Sequence, residues 1–271
     1  MKQIFDIALA APVWQIRIDD KHGLLAVEVR DADTLHTSFS VLDVKTGALL
    51  LSDYKTREPW YVGLEDIHQG ILFFHGIGDR RFGSHKGITA VEVKTGKLLW
   101  QDPEFIYYGF IPDGLLVKKN EALEAPLSLI DSFTGKMLTT ESENASSSAM
   151  PTIFAAYQAN RRLPVLVPGH YPDSSAHFST LQQFLESKIN ITVKDAIDYL
   201  ETKDFFILGF YNFDANNQRC YRVAVFNLEG ELILKEDLAT NLEGLGLDNF
   251  FIIQNSLILL KNKSTLLGYG F

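Results

Sequence analysis

The chain is poor in cysteine, in long apolar runs and in basic charge. Cys220 is its single cysteine among 271 residues, so no disulfide can close within the chain and no cysteine-rich metal site can form. No segment reaches the ~18 uninterrupted apolar residues of a membrane span. The apolar stretch before "ALAA" at Ala8 to Ala11 is short and broken by Asp6, well under the roughly 7 to 15 apolar residues of a secretory signal. Lys and Arg number 25 against 34 Asp and Glu, a net charge of −9, which argues against a nucleic-acid partner, since such binding relies on a basic surface. A soluble, cytoplasmic protein is expected. The seven histidines show no HExxH spacing and no serine sits in a Gly-x-Ser-x-Gly context, so neither a zinc hydrolase nor a serine hydrolase is signalled.

What is present is a repeat. "GITAVEVKTGKLLWQD" (Gly87 to Asp102) alternates with a period of two, turns at Thr95-Gly96 and resumes in a second apolar run. "FSVLDVKTGALLLSD" places Thr46-Gly47 at the same point, "LSLIDSFTGKMLTTE" places Thr134-Gly135 there, and "VAVFNLEGELILKED" has Glu229-Gly230. A β-rich run, a glycine able to take φ > 0 and a second β-rich run make a hairpin. The hairpin glycines are separated by 49, 39 and 95 residues, the last close to two ordinary steps. Polar turns at Gly23, Gly70, Gly114, Asp204 and Ser256, each opening an apolar run, keep the same step. A period of roughly 40 to 50 residues with about four strands per unit is the signature of a β-propeller.

Residues 13 to 54, 61 to 103 and about 104 to 140 read as three successive blades. "ESENASSSAM" (Glu141 to Met150) reads as an exposed polar connection, and "PTIFAAYQANRRLPVLVPGHY" as two strands around Asn160-Arg161, with Pro164 and Pro168 suited to an edge. The spacing of Phe178, Leu181, Leu185 and Lys188 predicts a helix over about 173–188, inserted in a degenerate fourth blade. "AIDYLE" then serves as the inner strand of a fifth blade. The final repeat supplies three strands, and "KQIFDIALA" at the N-terminus is expected to complete it and remove two open sheet edges. The expected architecture is thus all-β: a single-domain, six-bladed propeller, with five or seven blades possible if 141–200 is divided differently.

"DVKTGALLL", "EVKTGKLLW" and "DSFTGKMLT" resemble the Thr-Gly hairpins of quinoprotein-like β-propellers, a superfamily with repeats of the WD40/YVTN-like kind that includes alcohol dehydrogenases using pyrroloquinoline quinone and a bacterial outer-membrane assembly scaffold. The whole chain, "AIDYLE" after a helical insertion in particular, also resembles a small bacterial propeller family, a domain of unknown function. The resemblance implies the fold. The cofactor-dependent enzymes carry a repeated Trp at the hairpin end and often adjacent cysteines; here Trp100 stands alone against Leu51, Thr139 and Leu234, and no cysteine pair exists. That departure weighs against pyrroloquinoline quinone, and no cofactor is expected.

Two constellations stand out as candidate sites. In "HGIGDRRFGSHKG" (His75 to Gly87), Arg80, Arg81, His85 and Lys86 could receive a carboxylate or phosphate; a solvated hairpin loop is the plainer reading. Asp66, Asp198, Asp248 and Asn249 lie near inner strands and, converging at a channel mouth, would suit a divalent cation and a metal-dependent lactonase-type hydrolase; acids at such positions more often cap loops. No metal is expected on the plainer reading. His170 and His177 flank the inserted helix and are read as capping or solvated. The function that follows is a non-catalytic ligand- or protein-binding scaffold, with the hydrolase as alternative and the helix of Asp173 to Lys188 as a third possibility, a docking element for a protein partner.

Overall fold

The structure, a computed structural model, describes residues 1–79, 81, 83–119, 125–138, 144–160, 165–246 and 249–271, with only the backbone of 144–148 and 159–160. The described chain is predominantly β and forms several antiparallel sheets that fall into two compact units. One comprises Val13–Val44 and Ala48–Leu163; the other comprises Met1–Pro12, Lys45–Gly47 and Pro164–Phe271.

Strand β1 (Lys2–Ala8) belongs to the second of these units and meets its partner at the end of the chain. In the first unit, β2 (Val13–Asp19), β3 (Leu24–Asp31), β4 (His36–Asp43) and β5 (Leu49–Tyr54) form a four-stranded meander. A second meander follows from β6 (Val62–His68), β7 (Ile71–Ile77), β8 (His85–Glu92) and β9 (Leu98–Asp102). The Thr-Gly turns are built alike: Asp43 N–H donates to Ala48 O at 3.0 Å, Glu92 N–H to Lys97 O at 3.0 Å and Asp131 N–H to Lys136 O at 2.8 Å. Gly47, Gly96 and Gly135 all take a left-handed φ between 66° and 71°, which a side chain would disfavour.

The third sheet has three strands, β10 (Ile106–Ile111), β11 (Gly114–Lys118) and β12 (Ser128–Ile130). The run expected as its fourth strand makes only one bridge, Met137 to Ile130, and Thr139 and Thr140 lie outside the described residues. Near-continuous apolar runs such as those of β3 and β7 make a sheet apolar on both faces, and within this unit successive sheets pack face to face. Phe39 and Val41 of the first sheet meet Leu64, Leu72 and Phe74 of the second, while Phe73 and Ala90 meet Phe110, Leu115 and Val117 of the third.

Helix α1 (Asn144–Asn160) lies where a connection and a strand are expected. Its alanines favour a helix, and Met150, Phe154 and Tyr157 recur at helical spacing and pack on Ile111, Leu116 and Leu129. The Phe154 ring occupies the space that a side chain on Gly109 would fill. Glu141 to Glu143, and Arg161 of the expected Asn160-Arg161 turn, lie outside the described residues, as does Pro164.

In the other unit no separate fourth blade forms among the described residues. Strand β13 (Val165–Leu166) pairs with the last sheet, and β14 (Gly169–Pro172) adds to the next, each at a sheet edge; Pro168 falls between them, where its missing N–H costs nothing. Helix α2 (Phe178–Ile189) starts later than the expected residue 173, because Ser175 N–H bonds Pro172 O in a turn. Phe178 and Leu185 are buried, with Leu181 beside them, on Leu208, Phe210 and Phe226.

That helix covers the sheet of β14, β15 (Lys194–Glu201), β16 (Phe205–Phe213), β17 (Arg219–Asn227) and β18 (Leu232–Ala239). The sheet's other face packs through Tyr211, Tyr221 and Val223 on Phe250, Leu257 and Leu259 of the last sheet. This last sheet joins β19 (Phe250–Ile253), β20 (Ser256–Lys261) and β21 (Thr265–Gly270), and β1 completes it by pairing with β21 from Lys2↔Gly270 to Ala8↔Thr265. The expected capture of the N-terminal strand is therefore seen. The described residues form five sheets, where the sequence reading gives six blades with five as one alternative. Among them no helix is long and apolar enough to cross a membrane.

Candidate functional site

The second sheet brings three side chains together: Glu65 from β6, His75 from β7 and His85 from β8. A bulge makes this possible. Leu64 pairs with Phe74 and Asp66 with Phe73, so Glu65 is an extra residue without a cross-strand partner. A bulge turns its residue out of the regular alternation and leaves backbone groups unpaired. Side chains of β2 satisfy them: Gln15 donates to Leu64 O at 2.6 Å and Arg17 Nε donates to Glu65 O at 2.9 Å. Leu64 N–H donates at 2.6 Å to the fully buried carboxylate of Glu28. A second bulge, at Gly87 with φ of 79°, shifts β8 so that His85 stands opposite Ile77.

Glu65 Oε2 lies 2.7 Å from His75 Nδ1 and 2.9 Å from His85 Nδ1. The imidazoles stack almost in parallel, with centroids 3.4 Å apart and planes 8° apart. His75 is only 7% exposed, and its ring fills the space beside Gly63, where a side chain would come within 2.6 Å of it. Its Nδ1 faces Glu65 Oε2 at ion-pair distance without a hydrogen bond of regular geometry. The ligand-type atoms of Glu65, His75 and His85 lie within 4.8 Å of one another, the one such group of three among the described residues.

Burial raises the pKa of Glu65, but its contacts with His75 and His85 and their positive charge outweigh that and bring it down to about 2. A carboxylate with a depressed folded-state pKa stabilises the fold above its unfolded value, 4.5, and loses that contribution as pH falls through about 2. In metal-free protein, urea unfolding between pH 5 and pH 2 should therefore show a loss that Glu65→Gln removes, on the order of 1–3 kcal/mol. Equal pH slopes in the two proteins would overturn this.

Of the expected anion-binding residues, Arg80 lies outside the described residues. Arg81 is exposed, its backbone N–H and Nη2 both turned to Asp79, and Lys86 Nζ lies 3.4 Å from Glu104. With His85 on Glu65, each described member has an acidic neighbour that an anion would have to displace.

Of the expected cation ligands, Asp248 lies outside the described residues, and Asp66 and Asp198 belong to different units. Asp66 accepts from Tyr107 Oη at 2.5 Å and from Ile67 N–H at 2.8 Å. Asp198, buried, accepts from Tyr221 Oη at 2.6 Å and contacts His170 Nδ1 at 2.7 Å. Burial and the Asp198 charge push the Tyr221 phenol well up, and Asn249 bonds the same hydroxyl. His170 thus does not flank the helix as expected; it sits on β14 directly opposite Asp198. His177 holds the N-cap position of α2 without a side-chain capping bond, its ring edge-on to Tyr171.

The sequence reading selects Asp66, one residue past Glu65, and finds no metal-type spacing. The available signal was the even interval of ten residues separating Glu65, His75 and His85, which a three-strand meander can bring into register.

The model of a family described as Domain of unknown function (DUF4905) matches residues 18–100, less than half of the chain; this stretch contains the Glu65, His75 and His85 cluster. No curated protein matches the sequence. Among solved structures, the chain is similar to a eukaryotic initiation factor at 10% identity and a TM-score of 0.26, covering 95% of this chain and 84% of that one. An endo-arabinase from Bacteroides thetaiotaomicron VPI-5482 matches at 10% identity and a TM-score of 0.25, covering 100% and 96%. Chaetomium thermophilum Raptor matches at 9% and 0.30, covering 100% of this chain and 28% of that one. No inference about activity follows from likenesses of this size.

Proposed function

We propose that this chain is a propeller-type binding module of five blades, non-catalytic, with its binding site at Glu65, His75 and His85. The face-to-face packing of successive sheets within each unit and the completion of the last sheet by β1 support the architecture. Rigid sheets fix the β7–β8 hairpin, which is how such scaffolds hold a recognition site.

One observation carries the choice of site. His75 buries its Nδ1 against Glu65 without a hydrogen bond of regular geometry, a poorer pairing than folding alone would select. The test needs no knowledge of the ligand. Replacing a buried ion pair by apolar side chains of similar volume is often neutral or stabilising, so Glu65→Met with His75→Leu, which leaves half-exposed His85 to solvent, unfolded in urea with EDTA present, should lose no stability and gain up to about 1–2 kcal/mol. A loss of about 3 kcal/mol or more would make the cluster a structural strut and withdraw the reading.

A further inference from the structure

We propose that Glu65 Oε2, His75 Nδ1 and His85 Nδ1 bind a divalent first-row transition metal ion, with zinc the best match. The inference rests on the site assigned above and names what that site takes.

The donor set decides the class of ion. Two imidazoles and one carboxylate suit zinc, cobalt or nickel, whereas calcium and magnesium take sets of oxygen ligands and copper(I) takes thiolates or thioethers. Three protein ligands also leave one coordination position of a tetrahedral ion open, which is where a small ligand of the module would attach. With one carboxylate at the site, a bound divalent ion leaves a net positive centre that favours an anionic ligand.

The geometry is close to what such an ion requires. Ligand atoms about 2.0–2.1 Å from a tetrahedral zinc are roughly 3.3 Å apart, while the nitrogens here stand 2.7 and 2.9 Å from Glu65 Oε2. Each has to move out by about half an ångström. Parallel rings cannot both point an in-plane lone pair at one ion, so one ring has to turn. His85 is the one free to do so, its side chain being 49% exposed on β8, while His75 is held beside Gly63.

His75 supplies the second, independent sign. Its ring is more than nine-tenths buried, and its Nδ1 faces Glu65 without a hydrogen bond of regular geometry, so a metal bond would satisfy this nitrogen better than the carboxylate does. Glu65 is likewise prepositioned, because Arg17 holds the carbonyl of its bulge. Such outer contacts orient ligands before the ion arrives.

The test is a cobalt(II) titration of the full chain after EDTA treatment and buffer exchange, read by visible absorption and repeated with zinc as competitor. One ion per chain, micromolar or tighter, with the visible bands of cobalt in a four- or five-coordinate nitrogen and oxygen site, is the expected result. Glu65→Gln and His85→Ala, both at positions that tolerate substitution better than buried His75, should weaken binding at least 100-fold, and His170→Ala should leave it unchanged. No binding below about 1 mM, or equal binding by Glu65→Gln, His85→Ala and the parent, would overturn the proposal.

The two readings fail separately. Cobalt that does not bind, in a protein whose Glu65→Met and His75→Leu variant keeps its stability, removes the metal and leaves the binding module. Cobalt that binds through Glu65 and His85, in a protein that the same double substitution unfolds, leaves the metal and removes the binding module.

Discussion

Phe5→Ala is expected to lower the unfolding free energy by about 3–5 kcal/mol, the range for removing a buried Phe side chain. Phe5 is the one buried side chain of β1, 7% exposed. Its ring lies against Gly268 of β21, where an added Cβ would approach it to 2.2 Å. The strand's other side chains point to solvent or are half-buried, so Phe5 supplies most of the apolar contact that holds β1 down. In a chain of this size the melting temperature should fall on the order of 10 °C. Hydrogen exchange separates a local effect from a global one: the amides of β1 and β21 should lose protection in Phe5→Ala before those of β16 and β17. A loss under about 1 kcal/mol would mean that pairing with β21 does not depend on this ring. Gly268→Ala approaches the same contact from the other side and should release the same amides.

Arg30→Met should cost a comparable amount by an electrostatic route. Glu28 is fully buried, and its carboxylate accepts from Arg30 Nε at 2.6 Å, Gln15 Nε2 at 2.8 Å and Leu64 N–H at 2.6 Å. Arg30 also donates to Val62 O at 3.0 Å, and its guanidinium lies over the rings of Trp14 and Trp60, 5.0 and 5.3 Å from their centroids. Removing the one cation that meets Glu28 among the described residues leaves a buried charge with two neutral donors, a loss of about 3–5 kcal/mol. Glu28→Gln in the Arg30→Met background removes that charge and should restore most of the stability, so a double-mutant cycle in urea distinguishes lost charge pairing from lost packing of the tryptophans. If the second substitution adds to the damage, the packing explanation holds instead. Because Glu28 also fixes Leu64, Arg30→Met should disturb the neighbouring Glu65 bulge as well.

The parts of this fold legible in the sequence are those decided within a few residues. Thr46-Gly47, Thr95-Gly96 and Thr134-Gly135 specify their turns through a left-handed glycine, and the strands flanking them follow from alternation. Helix α1 was obscured because Ser146 to Ser148 and Pro151 resemble a linker, while the stripe of Met150, Phe154 and Tyr157 that stabilises it finds its value only against the third sheet. Without a Thr-Gly turn between residues 141 and 200, nothing local shows that β13 and β14 go to two different sheets.

The candidate site was half legible. His85 stood out, but as a partner for anions, whereas it contacts Glu65. The relevant acid was hidden by the bulge, since strict alternation directs attention to the inner position of Asp66, which Tyr107 and a backbone N–H occupy. The same principle separates the two failures: local chemistry writes turns and strands, but pairing across strands writes bulges and the sites built on them.

The pairing of Lys2–Ala8 with Thr265–Gly270 has a consequence for biosynthesis. β1 must wait for β21 before it can bond, so until β21 has been synthesised β1 stays unpaired and open to other chains. Joining segments that far apart also carries an entropic cost of closure. A slow step should therefore follow the synthesis of β21, and it is at that step that crowding or a mispaired neighbour would do most harm.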